Sequence, residues 1–226
     1  MSDAIPAGAI EHLRAADPVL RGIIDAIEQD GGIGARGGRR GIDPDDHYGA
    51  LVRAIIGQQL SAKVAYVMNE RLLERFGGRP PTPAEVLAED AEELRAAIGL
   101  SRMKVQFLRS LAEHVTDGSL KLEKMDDLSD EDVIAELVAV KGIGEWTAHM
   151  FLMFTLRRPD VLATGDQGIR NAVMRAYGLA APPDPAAITE LAEPWRPYRT
   201  RACLYLWRSL GNEPLSDRAD RPGDGG

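Results

Sequence analysis

Apolar residues recur at helical spacing along most of the chain, and no segment alternates apolar and polar positions with a period of two. This pattern predicts an all-α protein. The longest run, Tyr48–Phe76, is interrupted at Gly57-Gln-Gln-Leu-Ser61, where Ser61 suits the N-cap of a second segment. Thr82-Pro-Ala-Glu85 reads as a capping box with proline in the first helical position, and Asp90 with Glu93 repeats the cap for a helix ending near Gly99. Ser101 opens a longer helix through Phe107, Leu108 and Leu111, stopped by Asp117-Gly118. Ser129 with Asp132, Asp184-Pro185 and the stretch Pro197–Leu210 mark three more. The segment Gly31-Gly-Ile-Gly-Ala-Arg-Gly-Gly-Arg-Arg-Gly41 is too rich in glycine for a regular element; a plain, mobile surface connection is a better reading of it than an arm gripping phosphate. Residues 216–226 lack large apolar side chains and are expected to be disordered.

Two short stretches carry chemistry. Leu137-Val-Ala-Val-Lys-Gly-Ile-Gly-Glu-Trp-Thr-Ala148 joins the end of one apolar helix to the start of another through a turn with two glycines. Gly142 and Gly144 permit φ > 0 and a close approach by another backbone. The amides of Gly142, Gly144 and Glu145 are then expected to point outward at a helix N-terminus, a site suited to a phosphate. Downstream, Thr164-Gly-Asp-Gln-Gly-Ile-Arg170 places a lone carboxylate, Asp166, at the start of a further helix. Taken alone, the first stretch is a tight connection and Asp166 an N-cap. The order of hairpin, helix Trp146–Leu156, basic pair Arg157-Arg158 and Asp loop calls for more than that.

Charge changes the picture less than its total suggests. The net charge of −8 argues against a protein that coats nucleic acid by bulk attraction. The acids gather at Glu85–Glu93 and Glu123–Glu136, whereas Lys141, Arg157, Arg158, Arg170, Arg175, Arg196, Arg199, Arg201 and Arg208 lie around the two motifs. The single cysteine, Cys203, excludes a disulfide framework and a four-cysteine iron–sulfur cluster. The four histidines (His12, His47, His114 and His149) lack zinc-ligand spacing. With no membrane-length apolar run and no signal-peptide pattern, a cytoplasmic location is the default, nucleoid-associated if the source is bacterial.

Together these residues resemble the helix-hairpin-helix DNA glycosylase superfamily, and within it the 3-methyladenine DNA glycosylase II type. Ala54-Ile-Ile-Gly-Gln-Gln-Leu-Ser61, the hairpin, Gly165-Asp-Gln-Gly168, and Pro194-Trp-Arg-Pro-Tyr-Arg199 with Trp207 carry the resemblance, which spans roughly Ala15 to Pro214. It implies two helical subdomains flanking a cleft, with the hairpin beside it. Residues 46–162 would form one subdomain, ending in the hairpin. Residues 163–215 would form the other, packed with an N-terminal helix from residues 1–45. With so short a leader, the N-terminal β domain that some relatives carry is not expected.

The resemblance also assigns roles. Asp166 is the expected catalytic carboxylate, placed to stabilise positive charge at the deoxyribose C1′ and to orient or deprotonate a water; its position at a helix N-terminus favours the ionised form. Lys141, Gly142, Ile143, Gly144, Glu145 and Thr147 are expected to hold the DNA backbone, and the hairpin carbonyls to offer a site for a monovalent cation, although no metal is required. Trp146 and Trp207 are expected to line the pocket for the extruded base, where a cationic ring over an indole gains about 0.5–2 kcal/mol; core packing explains each of them equally well. Phe151, Phe154 and Tyr205 read as core. Gln59, or its neighbour Gln58, fills the wedge position that replaces the extruded base, a role in balance with capping at the helix break. Strand-cutting relatives carry lysine immediately before the hairpin-helix threonine; here that residue is Trp146. The expectation is therefore a monomeric, monofunctional glycosylase without a cofactor, acting on double-stranded DNA with damaged bases and on no membrane. The alternatives are a non-catalytic module of the same fold, a glycosylase for oxidised or mismatched bases, and a helical scaffold unrelated to DNA.

Overall fold

The computed structural model describes residues 8–33 and 46–211, so the readings of residues 34–41 and 216–226 lie outside it. Every regular element among the described residues is helical. In chain order these are α1 (Ala9–Ala16), α2 (Pro18–Gln29), α3 (His47–Gly57), α4 (Ala62–Arg75), α5 (Pro83–Ala88), α6 (Ala91–Ile98) and α7 (Arg102–Thr116). After a 3₁₀ segment (Leu122–Asp127) come α8 (Asp130–Val138), α9 (Glu145–Phe154), α10 (Gln167–Ala176) and α11 (Pro185–Leu191). A 3₁₀ turn, Glu193–Trp195, precedes α12 (Arg199–Ser209).

Local chemistry sets most of these starts. Ser61, Ser101 and Ser129 accept from the amides of Val64, Lys104 and Asp132. Thr82 and Glu85 form the reciprocal capping box, with Pro83 in the first turn. Asp90 caps α6 by accepting from the amides of Glu92 and Glu93, and Asp184 caps α11 by accepting from that of Ala187. One start was not anticipated. The N-terminal region holds two helices instead of one, because Asp17 ends α1 and caps α2 through the amides of Val19 and Leu20, with Pro18 at the first helical position. Asp17-Pro18 repeats the Asp184-Pro185 signal, so the break was legible.

The described residues fall into two compact units, one drawn from 1–38 with 158–226 and the other from 39–157. In the first, α2, α10 and α12 surround a core that includes Leu20, Ile24, Ile169, Val173, Trp195 and Leu206. In the second, α3, α4 and α7 pack with α5, α6, α8 and α9 over Leu51, Ile55, Leu72, Leu94, Leu108, Leu137 and Leu152. Residues 158–162 belong with α12, although the sequence reading puts them in the hairpin-bearing subdomain. The Asp160 carboxylate accepts from Arg199 Nε at 2.8 Å and Arg196 Nη1 at 2.7 Å, and the Val161 amide donates to Thr200 Oγ1 at 2.9 Å. These bonds tie the segment to the start of α12.

Within the first unit, Asp17 does more than cap. It also accepts from the Tyr177 hydroxyl and from Trp195 Nε1 (2.9 Å). Burial pushes its carboxyl up, but the four hydrogen bonds outweigh that and leave it below the usual carboxylate range. Burial, and after it the same carboxylate, push the Tyr177 phenol upward. Tyr205, buried in α12, donates to Glu28 Oε1 at 2.6 Å.

Candidate functional site

The hairpin occupies the link between α8 and α9. Val140 and Ile143 are buried and close the turn through an Ile143 N–H···O=C Val140 bond of 3.1 Å. The two glycines are there for different reasons. Gly142 has φ 94°, and a Cβ at this position would sit inside the Phe107 ring of α7, so both conformation and packing demand glycine. Gly144 is instead the N-cap of α9 with φ −98° and ψ 171°, an ordinary extended conformation that does not use the positive φ glycine permits. Nothing lies within 4 Å of where its Cβ would be. The amides of Gly142, Gly144 and Glu145 have no acceptor among the described residues; that of Glu145 is one of the donors that the first turn of α9 leaves open. Lys141, Gly144, Glu145 and Trp146 are exposed around them. Ile143 and Thr147 are not: both side chains are buried, so Ile143 can meet a backbone only through its main chain.

Gln58 settles into this same turn. Its Nε2 donates to the Gly142 carbonyl at 2.9 Å and more weakly to Thr147 Oγ1 at 3.4 Å. Gln59 is exposed and left-handed, with φ 57°. For a residue with a Cβ that conformation costs about 1 kcal/mol. The structure therefore separates two neighbours that the sequence left equivalent.

The Asp loop is built from side chains. Asp166 caps α10 through an Ile169 N–H bond to Oδ1 of 2.8 Å, and Trp207 Nε1 donates to the same oxygen at 2.8 Å. Gly168 makes room for that pairing: a Cβ there would lie 2.9 Å from Asp166 Oδ1 and 3.0 Å from Trp207 Cδ1. Asp166 itself is partly exposed. Trp207 is 7% exposed, so its indole is first of all a buried donor to Asp166, whereas Trp146, in the other unit, is 39% exposed. Phe151 is buried as expected; Phe154 is only partly so. Cys203 on α12 is fully buried, and burial pushes its thiol up to about 12, which rules it out as a nucleophile.

Residues 52–197 match the HhH-GPD superfamily of base excision DNA repair proteins. The chain belongs to that superfamily. DNA-3-methyladenine glycosylase 1 of Schizosaccharomyces pombe is 36% identical over 172 residues, 75% of each chain. A Bacillus subtilis relative is 32% identical over 169 residues, 72% of this chain; the match spans 58% of that protein's length. Among solved structures, the S. pombe 3-methyladenine DNA glycosylase in complex with abasic DNA superimposes with a TM-score of 0.78 at 31% identity, covering 96% of this chain and 100% of the other. The HhH-GPD match takes in both the hairpin and the Asp166 loop.

Several basic residues near these motifs are already engaged. Arg196 and Arg199 are bound to Asp160, and Arg170 Nε donates to the Pro183 carbonyl at 2.9 Å. On the hairpin itself, the donors are the amides and Lys141, an exposed cation on the turn. No cluster of three or more His, Cys, Asp or Glu residues able to hold a metal ion occurs among the described residues, and no described helix is long and apolar enough to cross a membrane.

Proposed function

We propose that this chain is a monofunctional DNA glycosylase that extrudes alkylated bases, such as 3-methyladenine or 7-methylguanine, and hydrolyses the N-glycosidic bond to leave an abasic site. One observation carries the reading. A partly exposed carboxylate, Asp166, is held by a helix amide and a buried indole N–H in a chain whose hairpin keeps amides without an acceptor among the described residues. An alkylated purine already bears positive charge and leaves with the bonding electrons, without needing a strong acid. As the C1′–N bond breaks, positive charge develops on the sugar and the Asp166 carboxylate stabilises it. Water then adds at C1′ and gives up its proton to the carboxylate or to solvent.

The amides of Gly142, Gly144 and Glu145 grip a strand phosphate, and the open space at Gly144 suits the approach of that backbone. Trp146 offers an exposed ring for an electron-poor base. Gln59 is the wedge, because Gln58 is committed to the hairpin. With tryptophan at position 146 and Lys141 on the turn, no lysine stands in the position from which strand-cutting relatives attack the sugar. The protein acts as a monomer in the cytoplasm, on the nucleoid if its source is bacterial. The test is a methylated duplex incubated with the protein. Free alkylated base and alkali-labile sites are expected, with no borohydride-trapped protein–DNA adduct. A trapped adduct overturns the monofunctional assignment, and no base release overturns the enzymatic one.

A further inference from the structure

We infer that Lys104 is a positioning residue for base extrusion, holding the turn that carries Gln59; this rests on reading Gln59 as the wedge. The last carbonyls of a helix have no partner within it and carry partial negative charge. At the end of α3 the Ile55 and Gly57 carbonyls are taken up by the amides of Gln58 and Leu60, at 3.4 and 3.3 Å. The Ile56 carbonyl between them receives a side chain from far along the sequence: Lys104 Nζ donates to it at 2.6 Å. That ammonium is partly buried, and burial pulls its pKa down, so this charged donor is held at a desolvation cost.

The bond sits three residues before Gln59, whose left-handed backbone is unfavourable on its own and persists only if its surroundings fix it. Gln58, between the two, is tied to the Gly142 carbonyl. The turn is thus held from two sides, by the hairpin through Gln58 and by α7 through Lys104. Phe107, one helical turn beyond Lys104 on the same face of α7, packs against Gly142. A single helix face therefore sets both the wedge turn and the hairpin turn. A wedge must enter the stack before the extruded base returns. A turn already in register loses less conformational freedom at that moment than a loose one.

Single-turnover base release, with enzyme in excess, tests this on two duplexes carrying the same alkylated base, one fully paired and one with the lesion nucleotide bulged. Extrusion is cheap in the second. Lys104→Met is expected to slow release from the paired duplex about tenfold, the rate equivalent of one charge-assisted hydrogen bond, and to leave the bulged duplex within about twofold. Lys104→Arg, which keeps a charged donor, should recover part of the loss. Should Lys104→Met not yield folded protein, Lys104→Gln carries the same comparison, with thermal melting as the check on folding. Equal slowing on both duplexes would reduce Lys104 to a structural residue and overturn the inference. Gln59→Ala separates the two readings. If it slows only the paired duplex while Lys104→Met slows neither, the Lys104 inference fails alone; if it slows neither duplex, the wedge reading fails and the inference with it.

Discussion

The hairpin and the Asp166 loop use the same device to opposite ends. In each, an aromatic ring from another helix of the same unit presses on a glycine: Phe107 on Gly142, Trp207 on Gly168. In the hairpin the result is a set of main-chain N–H donors without an acceptor among the described residues, beside the buried Ile143 and Thr147. In the Asp loop the result is an acceptor confined by two donors on one oxygen. In the function proposed above, the first region grips a strand mainly through uncharged main-chain donors, which lets a chain of net charge −8 approach DNA. The second supplies a single fixed charge. Function in the first should be sensitive to backbone shape, and in the second to side-chain identity.

The largest loss of activity is expected from Asp166→Asn. The amide oxygen can still accept from Ile169 and Trp207, so melting should shift by only a few degrees while single-turnover base release falls about 10²–10³-fold or more. Retained activity would remove the carboxylate from the chemistry. Next in size is Gly142→Ala, which forces a Cβ into the Phe107 ring at φ 94°. A loss of about 2–4 kcal/mol in urea unfolding is expected, and an unchanged midpoint would mean the turn is plastic.

Asp17 offers a control in the first unit away from the Asp loop. Asp17→Ala removes a helix cap and the acceptor for Trp195 and Tyr177, a loss of about 2–3 kcal/mol. Its folded pKa is lowered, so its contribution is complete above the unfolded value near 4 and disappears as pH falls through the folded value. The wild-type stability curve should therefore drop more steeply below about pH 4 than that of the variant, as read by denaturant titration across pH. Trp207→Phe keeps the ring and removes one donor from Asp166. It should cost about 1 kcal/mol and slow release several-fold. The smallest change expected is in the stability of Gly144→Ala, within about 0.5 kcal/mol. Its affinity for duplex DNA should nonetheless fall, which would tie the open space at Gly144 to the approaching strand. Unchanged affinity would leave that glycine unexplained.

Much of the fold was legible because helix starts are local. Ser61, Thr82, Asp90, Ser101, Ser129, Asp166 and Asp184 all cap where their spacing predicts, since a cap needs only a short polar side chain and the amides two or three residues on. Asp17 was missed despite the same signal, and its bonds to Tyr177 and Trp195 join residues about 160 and 178 positions apart, which no local pattern reports. The motifs marked the hairpin and the Asp loop but not their internal logic. They left Gln58 and Gln59 equivalent, gave Gly142 and Gly144 one explanation, and gave Trp207 the same role as Trp146.

Sequence alone was enough to predict helices throughout the described residues, most of their starts, and two short segments that concentrate glycine and a lone carboxylate. These follow from chemistry within a turn or two of backbone. Only the tertiary structure decided that Gly142 yields to Phe107, that Trp207 donates to Asp166, that Gln58 ties to the hairpin while Gln59 stays exposed, and that Lys104 reaches the end of α3. Each of these contacts joins helices distant along the chain. Which side chain arrives at a given glycine or carbonyl is set by how the helices pack, and packing is a property of the whole core.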